Sequence, residues 1–315
     1  MNDYTLFYKT SLPVEGALGE NDGWQIFVSA FTSAERVRRV YERVIAGRKR
    51  WIVFPEYGYA REELPGEEFF LGGAANEAEY TQSFWDSFGE RIDGRKICVD
   101  TTGFIRPYLI FLLRWFMENG IRRFDALYSE PIHYTRREKT SFSDESVTEV
   151  RQVAGYEGNH NADVSKDVLI INVGYDHQLI SHVAESKGHA RKVQLFGFPS
   201  LRADMYQENV LRAHEAEEAV GSQALTYFAP ANDPFSTASV LSEIVGQLVR
   251  KGQVTNLYLS PLATKPQLIG FALYYLTELR GSASSIIFPF CDKYNRETGT
   301  GLARVWKYSV ELPPR

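Results

Sequence analysis

The sequence predicts an α/β protein built on a doubly wound, mostly parallel sheet with helices on both faces. Short apolar segments rich in β-branched and aromatic residues alternate with longer segments of helical spacing almost to the end of the chain. Strands such as Val168–Ile171 are apolar at every position, which indicates burial on both faces of a parallel sheet. The last alternating segment, Val305–Val310, is typical of an antiparallel edge strand near the C-terminus.

The N-terminal part predicts one βαβ unit. Trp24–Ser29 forms its first strand, Ser33 caps a helix that extends to about Ala46, and Trp51–Phe54 forms its second strand. Residues 57–93 are acidic and contain glycines without a sustained period. We therefore expect an N-terminal α/β subdomain over 1–95 and a Rossmann-like α/β domain over 96–315.

The second domain has the more regular alternation. Its predicted strands are 96–100, 123–128, 147–152, 167–173, 192–196, 224–228, 255–259, 284–288 and 305–310. Its predicted helices are 105–119, 177–186, 204–220, 235–250 and 266–279. Strands that alternate with helices of this length are typical of βαβ units.

Composition excludes several classes of protein. The chain has 315 residues, 35 of them basic and 40 acidic, for a formal charge of -5, which argues against the coating of bulk nucleic acid or of an anionic membrane. Its two cysteines, Cys98 and Cys291, exclude a disulfide scaffold and a cysteine-rich zinc site. No signal sequence and no long apolar segment stands out, so we expect a soluble cytoplasmic protein.

Polar residues collect where predicted strands end and helices begin. In an open α/β sheet the ligand crevice lies outside the carboxyl ends of the strands, because loops and helix N-termini meet there. Many such residues are ordinary caps and turns, so each candidate below has a structural alternative.

The segment from Leu259 to Gly270 is the strongest candidate for an anion site. A buried strand passes through a short turn into a helix, where Thr264 supplies a hydroxyl, Lys265 a positive charge and the helix N-terminus its N–H groups. Pro266 suits the first helical turn. The Walker A pattern is absent, and the alternative is Thr264 as a plain N-cap with Lys265 in water.

The segment Val99–Pro107 is the second candidate, and it contains the string Asp100-Thr101-Thr102-Gly103 followed by Arg106. Asp100 is a candidate catalytic base, hydroxyl-orienting group or Mg²⁺ ligand, and Arg106 is a candidate clamp for phosphate or carboxylate. Thr101 and Thr102 are candidate ligand contacts. The alternative is a self-contained turn with a locally paired arginine.

Two further junctions contribute candidates. His177 is a second candidate acid or base, and Asp176 before it is a candidate ligand contact or a helix cap. Arg202 is a candidate anion contact or a partner of a neighbouring carboxylate. The histidines lack the spacing of a zinc site, so we predict no structural zinc and assign no metal ligand set. The cofactor stays unknown, and Mg²⁺ joined to a carboxylate and a ligand phosphate stays compatible.

The turn Ser260-Pro-Leu-Ala-Thr-Lys-Pro-Gln267 resembles the Gly-Thr-Lys turn of CARF-type domains, with Leu-Ala-Thr-Lys in place of Gly-Gly-Thr-Lys. Those domains are Rossmann-like sensors of cyclic oligonucleotides in prokaryotic defence systems. The resemblance covers this one turn and implies that Thr264 and Lys265 contact a ligand phosphate or ribose.

Three functions follow as hypotheses. The first is an intracellular Rossmann-like protein that binds a nucleotide or another phosphorylated small molecule, as a sensor or component of a bacterial defence system. The second is an enzyme acting on a nucleotide or sugar phosphate, with Asp100 or His177 as its base. The third is a structural subunit that binds a protein partner or its own copies, suggested by aromatic residues expected at the surface around Tyr57, Trp85 and Trp306.

Overall fold

The computed structural model describes residues 3, 4, 7–73, 76–89, 91–134, 147–296 and 299–315. The chain folds into two compact units. The first unit comprises Phe7–Asp144 and Lys293–Arg315, and the second comprises Met1–Leu6 and Glu145–Asp292. Each unit has its own sheet.

The elements are numbered in chain order. The strands are β1 (Tyr8–Leu12), β2 (Ile26–Ala30), β3 (Arg48–Ile52), β4 (Phe69–Phe70), β5 (Ile97–Asp100), β6 (Arg123–Glu130), β7 (His133–Tyr134), β8 (Val147–Gln152), β9 (Val168–Val173), β10 (Arg191–Gly197), β11 (Leu225–Ala229), β12 (Leu257–Pro261), β13 (Ser284–Cys291), β14 (Gly299–Thr300) and β15 (Arg304–Glu311). The helices are α1 (Glu35–Arg43), α2 (Glu77–Asp86), α3 (Arg106–Glu118), α4 (His177–Ser186), α5 (Met205–Glu215), α6 (Glu217–Val220), α7 (Pro234–Arg250) and α8 (Lys265–Tyr274), which continues as a π-helical turn over Tyr275–Leu279.

The sheet of the first unit has the order β1-β15-β6-β5-β2-β3-β4. Its five strands from β6 to β4 are parallel, and β15 and β1 extend it in antiparallel pairing. The predicted antiparallel strand near the C-terminus is confirmed as β15, but its predicted edge position was wrong, because β1 pairs along its other side and forms the edge of the sheet. A buried cluster around Phe27, Trp51 and Val305 packs α1 against this sheet.

The sheet of the second unit has the order β11-β10-β9-β12-β13-β8, and only β8 is antiparallel. Helix α7 packs on α8, while α4 packs on α5 and α6. Because parallel crossovers are right-handed, these two groups of helices cover opposite faces of the sheet. The fold is therefore α/β, Rossmann-like and doubly wound, as predicted.

The parallel strands of the two units follow one and the same winding order. Numbered along the chain within each unit, both sets read 3-2-1-4-5 across the sheet, and an antiparallel strand follows the fifth position. The winding reverses between β2 and β5 in the first unit and between β9 and β12 in the second. In open α/β sheets the ligand crevice lies at such a reversal.

The units divide the chain differently from the predicted boundary at 95/96. That boundary falls between α2 and β5, yet β5 pairs in parallel with β2 over Ile26–Ser29, so both sides of it belong to one sheet. The first unit is instead completed by residues 293–315, which return to it after the second unit.

Aromatic residues that the sequence analysis placed at the surface are largely internal. Tyr57 and Trp85 are buried, and Trp306 is half-buried. Trp85 stacks on Trp115 between α2 and α3 with ring centroids 5.4 Å apart, and Tyr57 donates a hydrogen bond to the Gly103 carbonyl at 2.9 Å. The expectation of an exposed aromatic surface was wrong, because it did not anticipate α2.

Across the described ranges, every helix falls short of the length and apolar character that crossing a bilayer requires.

Gly270 fixes the approach of α8 to α7. A β-carbon added at Gly270 would lie 2.4 Å from the Pro234 carbonyl oxygen and 2.7 Å from Thr237 Cβ. Backbone and a β-branched side chain cannot yield that space, so the two helices have to separate. Gly246, on α7, offers a comparison, since its added β-carbon would meet only the end of the Arg250 side chain at 3.3 Å.

We expect Gly270→Ala to lower the free energy of unfolding by about 1–3 kcal/mol, the usual cost of overpacking a core. Gly246→Ala should be neutral or raise it by up to about 1 kcal/mol, because alanine is the better helix former. Urea unfolding of the two variants beside the wild type tests this, and equal effects of both would contradict the packing argument.

Candidate functional site

Ser29 and Asp100 mark the point in the first unit where the winding reverses. They are register partners on β2 and β5, and the Ser29 hydroxyl donates to Asp100 Oδ2 at 3.0 Å. The loops that follow the two strands approach closely, since a β-carbon on Gly103 would lie 2.3 Å from the Ala30 carbonyl oxygen. Glycine is therefore required at 103 for these strand ends to meet.

Asp100 accepts three hydrogen bonds in this position. Besides Ser29, the backbone N–H and the hydroxyl of Thr102 donate to Oδ1 at 3.0 and 2.6 Å. The Thr102 oxygen in turn accepts from the Ser129 N–H at 2.9 Å, while Thr101 donates to the Leu127 carbonyl at 2.8 Å. These bonds join the ends of β2, β5 and β6.

Burial raises the pKa of Asp100, and hydrogen bonds from Thr102 and Ser29 and the charge of Arg36 act in the opposite direction. The side chain is 0% exposed. In this conformation Asp100 therefore organises the strand ends beneath the crevice and has no surface of its own to offer a ligand.

Two buried arginines begin the helices that leave this point. Arg36 is the second residue of α1, Arg106 is the first residue of α3, and each is 7% exposed. Neither helix receives a side-chain cap at its N-terminus from the described residues, because the positions before them are Ala34 and Ile105. An arginine in a first turn adds to the positive end of the helix dipole; α3 has no acidic residue in its first turn, whereas α1 also has Glu35 there.

The charges of both arginines act on two buried phenols, Tyr57 and Tyr128. Burial raises the pKa of Tyr57 and of Tyr128, while the charges of both Arg36 and Arg106 lower it in each case. Both guanidinium groups therefore act on both phenols. Arg36 also donates to the Gly299 carbonyl at 3.2 Å, which fixes its direction.

Glu56 follows the end of β3 and precedes Tyr57 in the chain. It occupies the 3₁₀ turn Pro55–Tyr57, and its Oε1 accepts a hydrogen bond from the Tyr108 hydroxyl. Burial raises the pKa of Glu56, hydrogen bonds from the Tyr108 hydroxyl and from the Glu56 backbone N–H lower it, and the charge of Glu77 raises it. Glu56 Oε2 and Thr32 Oγ1 are both buried without a hydrogen-bond partner in the described part of the chain.

Glu130, at the end of β6, has its partners on the neighbouring strand β15. Trp306 Nε1 donates to its Oε1 at 2.6 Å, and Arg304 lies 3.8 Å from its Oε2. Burial raises the pKa of Glu130, and these two partners lower it.

In the second unit the corresponding helices are capped by side chains. Asp176 Oδ1 accepts from the Leu179 N–H at 3.3 Å, and Asp233 Oδ1 accepts from two N–H groups at the start of α7. Thr264 accepts from the Gln267 N–H at 3.3 Å and donates to the Ala231 carbonyl. Thr264 therefore has the capping role that the sequence analysis gave as the alternative.

The other candidates of the second unit have local partners or half-buried positions. Lys265 is the first residue of α8 and is half-buried. His177 Nδ1 lies 3.0 Å from Glu215 Oε2, and Arg202 Nε lies 3.4 Å from Asp204 Oδ1. The ends of β9 and β12 meet where Asn172 Oδ1 accepts from the Ala263 N–H at 3.3 Å.

The structure thus brings together four of the predicted residues, Asp100, Thr101, Thr102 and Arg106, in the first unit. Sequence analysis missed Arg36, Tyr57 and Tyr128 as members of this set. The available signal for Arg36 was its place in a helical first turn, where acidic residues are the rule. Within the described ranges, His, Cys, Asp and Glu nowhere converge in a group of three that could hold a metal ion.

Comparisons with known proteins identify no family for this chain. No family model and no curated protein matches the chain. Among solved structures, CobK precorrin-6A reductase is similar at 10% identity and a TM-score of 0.24, over 83% of this chain and 87% of that one. A multidomain structure of a keto acid-selecting NRPS module with adenylation, ketoreductase and pseudo Asub parts is similar at 8% identity and a TM-score of 0.21, over 81% of this chain and 27% of that one. At these scores the likenesses carry no statement about ligand or activity.

The raised pKa of Asp100 has a consequence for stability. The folded protein holds this proton to a higher pH than the unfolded chain does, so the free energy of unfolding falls as the pH rises from the ordinary aspartate pKa through the raised one. We expect wild type to lose stability over this range relative to Asp100→Asn. Urea unfolding at a series of pH values measures the difference. Glu56 and Glu130 are present in both proteins, so their contributions to the pH dependence cancel in the comparison. Parallel curves of unfolding free energy against pH would contradict the raised pKa of Asp100.

Proposed function

We propose that the first unit binds the phosphate of a nucleotide or another phosphorylated small molecule where its winding reverses. The observation that supports this is the pair of buried arginines, Arg36 and Arg106, in the first turns of two helices that lack side-chain caps within the described residues.

The electrostatic argument has two parts. Each helix N-terminus carries partial positive charge from its N–H groups, and each arginine adds a full charge in a poorly hydrated position. A phosphate compensates both, because it accepts hydrogen bonds from helix N–H groups and from the planar guanidinium fork at once. The α/β crevice at a reversal of winding is the usual position for such a ligand.

The turn at Thr264 and Lys265 remains a second candidate position for the phosphate. Its resemblance to CARF-type domains and the role in bacterial defence stay predictions. The enzyme hypothesis and the structural-subunit hypothesis also stay predictions, and full burial of Asp100 and the Glu215 contact of His177 favour binding over turnover.

We expect ADP to stabilise the wild type against thermal unfolding, by about 2.7 kcal/mol at 100 times its dissociation constant. Arg106→Gln and Arg36→Gln should lose most of this stabilisation, because each removes a charge from the phosphate position. The matched controls are Arg114→Gln on α3 and Arg39→Gln on α1, whose arginines pair with Glu118 and Glu35 on the helix surface. Both controls should respond to ADP as the wild type does.

Lys265→Ala separates the two candidate positions, with Lys251→Ala as its control at the exposed end of α7. If the phosphate binds in the first unit, Lys265→Ala keeps the ADP response. A response that is lost in Lys265→Ala and kept in both arginine variants would move the site to the second unit.

A further inference from the structure

The outer side of β11 is an open edge of the second unit's sheet. β11 is the last strand of that sheet, and among the strands that the structure describes it pairs with β10 alone. The backbone groups on its other side therefore meet no strand within the described ranges. Such an edge can pair with a strand of another chain unless its side chains prevent this.

The other edges of the two main sheets are protected by charge or by their short length. In the same sheet the opposite edge, β8, carries Glu149 and Arg151, and in the first unit β1 carries Lys9 while β4 has two residues. β11 has the sequence Leu-Thr-Tyr-Phe-Ala, and residues 222–230 include no charged side chain. Charged residues on an edge discourage pairing between chains, so β11 is the edge that admits a partner strand.

An exposed aromatic cluster adjoins this edge. Phe196 on β10 and Phe228 on β11 are register partners, so they share one face of the sheet. Helix α5 covers that face at β10, where Tyr206 contacts Phe196, but it leaves β11 open, because Phe196 is 5% exposed and Phe228 is 46% exposed. Phe198, which follows β10, is 51% exposed and contacts both Tyr206 and Phe228. Contiguous apolar surface of this kind is typical of a protein–protein contact.

The apolar surface continues along α5. Val210 lies one helical turn after Tyr206, on the same side of the helix, and it is exposed like the neighbouring Leu211. We call β11, Phe198, Tyr206 and Val210 together the β11 surface. It combines an unpaired strand edge with an apolar strip on one face.

The β11 surface is compatible with a second copy of itself. In an antiparallel pair of β11 strands centred on Tyr227, Thr226 of each copy lies opposite the partner's Phe228. Pairs of an aromatic and a β-branched residue stabilise antiparallel strands, and both residues are exposed in the single chain. No charges of like sign meet over 222–230, and the twofold axis, perpendicular to the sheet, keeps the two apolar strips on one face.

We propose that two copies of the chain associate through antiparallel pairing of their β11 strands. The pairing joins the two second units into one sheet with six strands from each copy. It gives the outer backbone groups of β11 their hydrogen-bond partners and covers Phe198 and Phe228. This inference is independent of the proposed phosphate site, which lies in the first unit.

Sedimentation equilibrium of the full chain over a series of concentrations tests the proposal. We expect the wild type to form a dimer. Thr226→Lys combined with Phe228→Lys should raise the dissociation constant at least about tenfold, because lysines then meet lysines across the axis. Thr226→Lys combined with Phe228→Glu should recover much of the association, because opposite charges then meet. The matched control is Tyr8→Lys with Thr10→Lys, the same residue types at exposed alternate positions of the edge strand β1, and it should associate as the wild type does.

A cysteine variant tests the register without a charge on the strand. Directly opposite residues of antiparallel strands lie within disulfide distance, so Tyr227→Cys should form a linked dimer when oxidised with diamide. The native Cys98 and Cys291 are buried and do not compete. Val249→Cys, at an exposed position of α7, is the control and should remain unlinked.

Three results would overturn the proposal. A wild type that stays monomeric up to its highest soluble concentration would leave β11 open to a strand of a different protein. Equal association of the two lysine variants at β11 and β1 would place the contact elsewhere on the chain. A dimeric Tyr227→Cys that oxidation does not link would exclude this pairing of β11 with itself.

Circular dichroism and urea unfolding show that each variant is folded before its association is compared with that of the wild type.

Discussion

The parallel pairing of β2 with β5 is the contact on which the first unit depends. The loops that follow β2 and β5 lead to neighbouring strands on opposite sides, β3 and β6. The helices that begin after these two loops therefore start next to each other. Gly103 permits the approach, and the bond from Ser29 to Asp100 is available only in this register. The positions of Arg36 and Arg106 follow from that arrangement, since each lies within one helical turn of the reversal.

The second unit meets the same topological constraint with different chemistry. Its helices start from Asp176, Asp233 and Thr264, which satisfy N–H groups from within the chain. The helices of the first unit that correspond to two of these start from Ala34 and Ile105 and carry cations instead. The same backbone order therefore supports one strand edge whose helices are capped by side chains and one where arginines occupy the first turns of two helices.

Much of the fold could be predicted from the sequence, because strands such as β9 and β12 are buried at every position and leave uninterrupted apolar segments. β1 left no such signal, since its residues are exposed or half-buried at an edge. Helix α2 was missed because its mixed composition has no clear period, although Asn76 caps it. The domain boundary was misplaced because β15 returns from far along the chain, and local periodicity carries no information about that pairing.

The site was predicted only in part, for a similar reason. Asp100, Thr101, Thr102 and Arg106 directly follow a recognisable strand, so sequence position alone brings them together. Arg36 is one of several arginines in a surface-like helix, and only tertiary packing distinguishes it from exposed Arg38. Hydrogen-bond partners cannot be predicted from the sequence either. Burial raises the pKa of both Asp100 and Glu56, yet both oxygens of Asp100 accept hydrogen bonds, whereas Glu56 Oε2 has no partner among the described residues.

The position of β15 in the chain determines when the sheet of the first unit can be completed during synthesis. This strand lies between β1 and β6 and pairs with both, yet it leaves the ribosome only after the whole of 145–292 has been made. Until β15 has been made, the first unit lacks the strand between β1 and β6, and the edge of β6 has no partner there. Long-range pairing of this kind is slow and open to aggregation. The first unit, although most of it is made first, therefore cannot complete its sheet until the end of the chain is available.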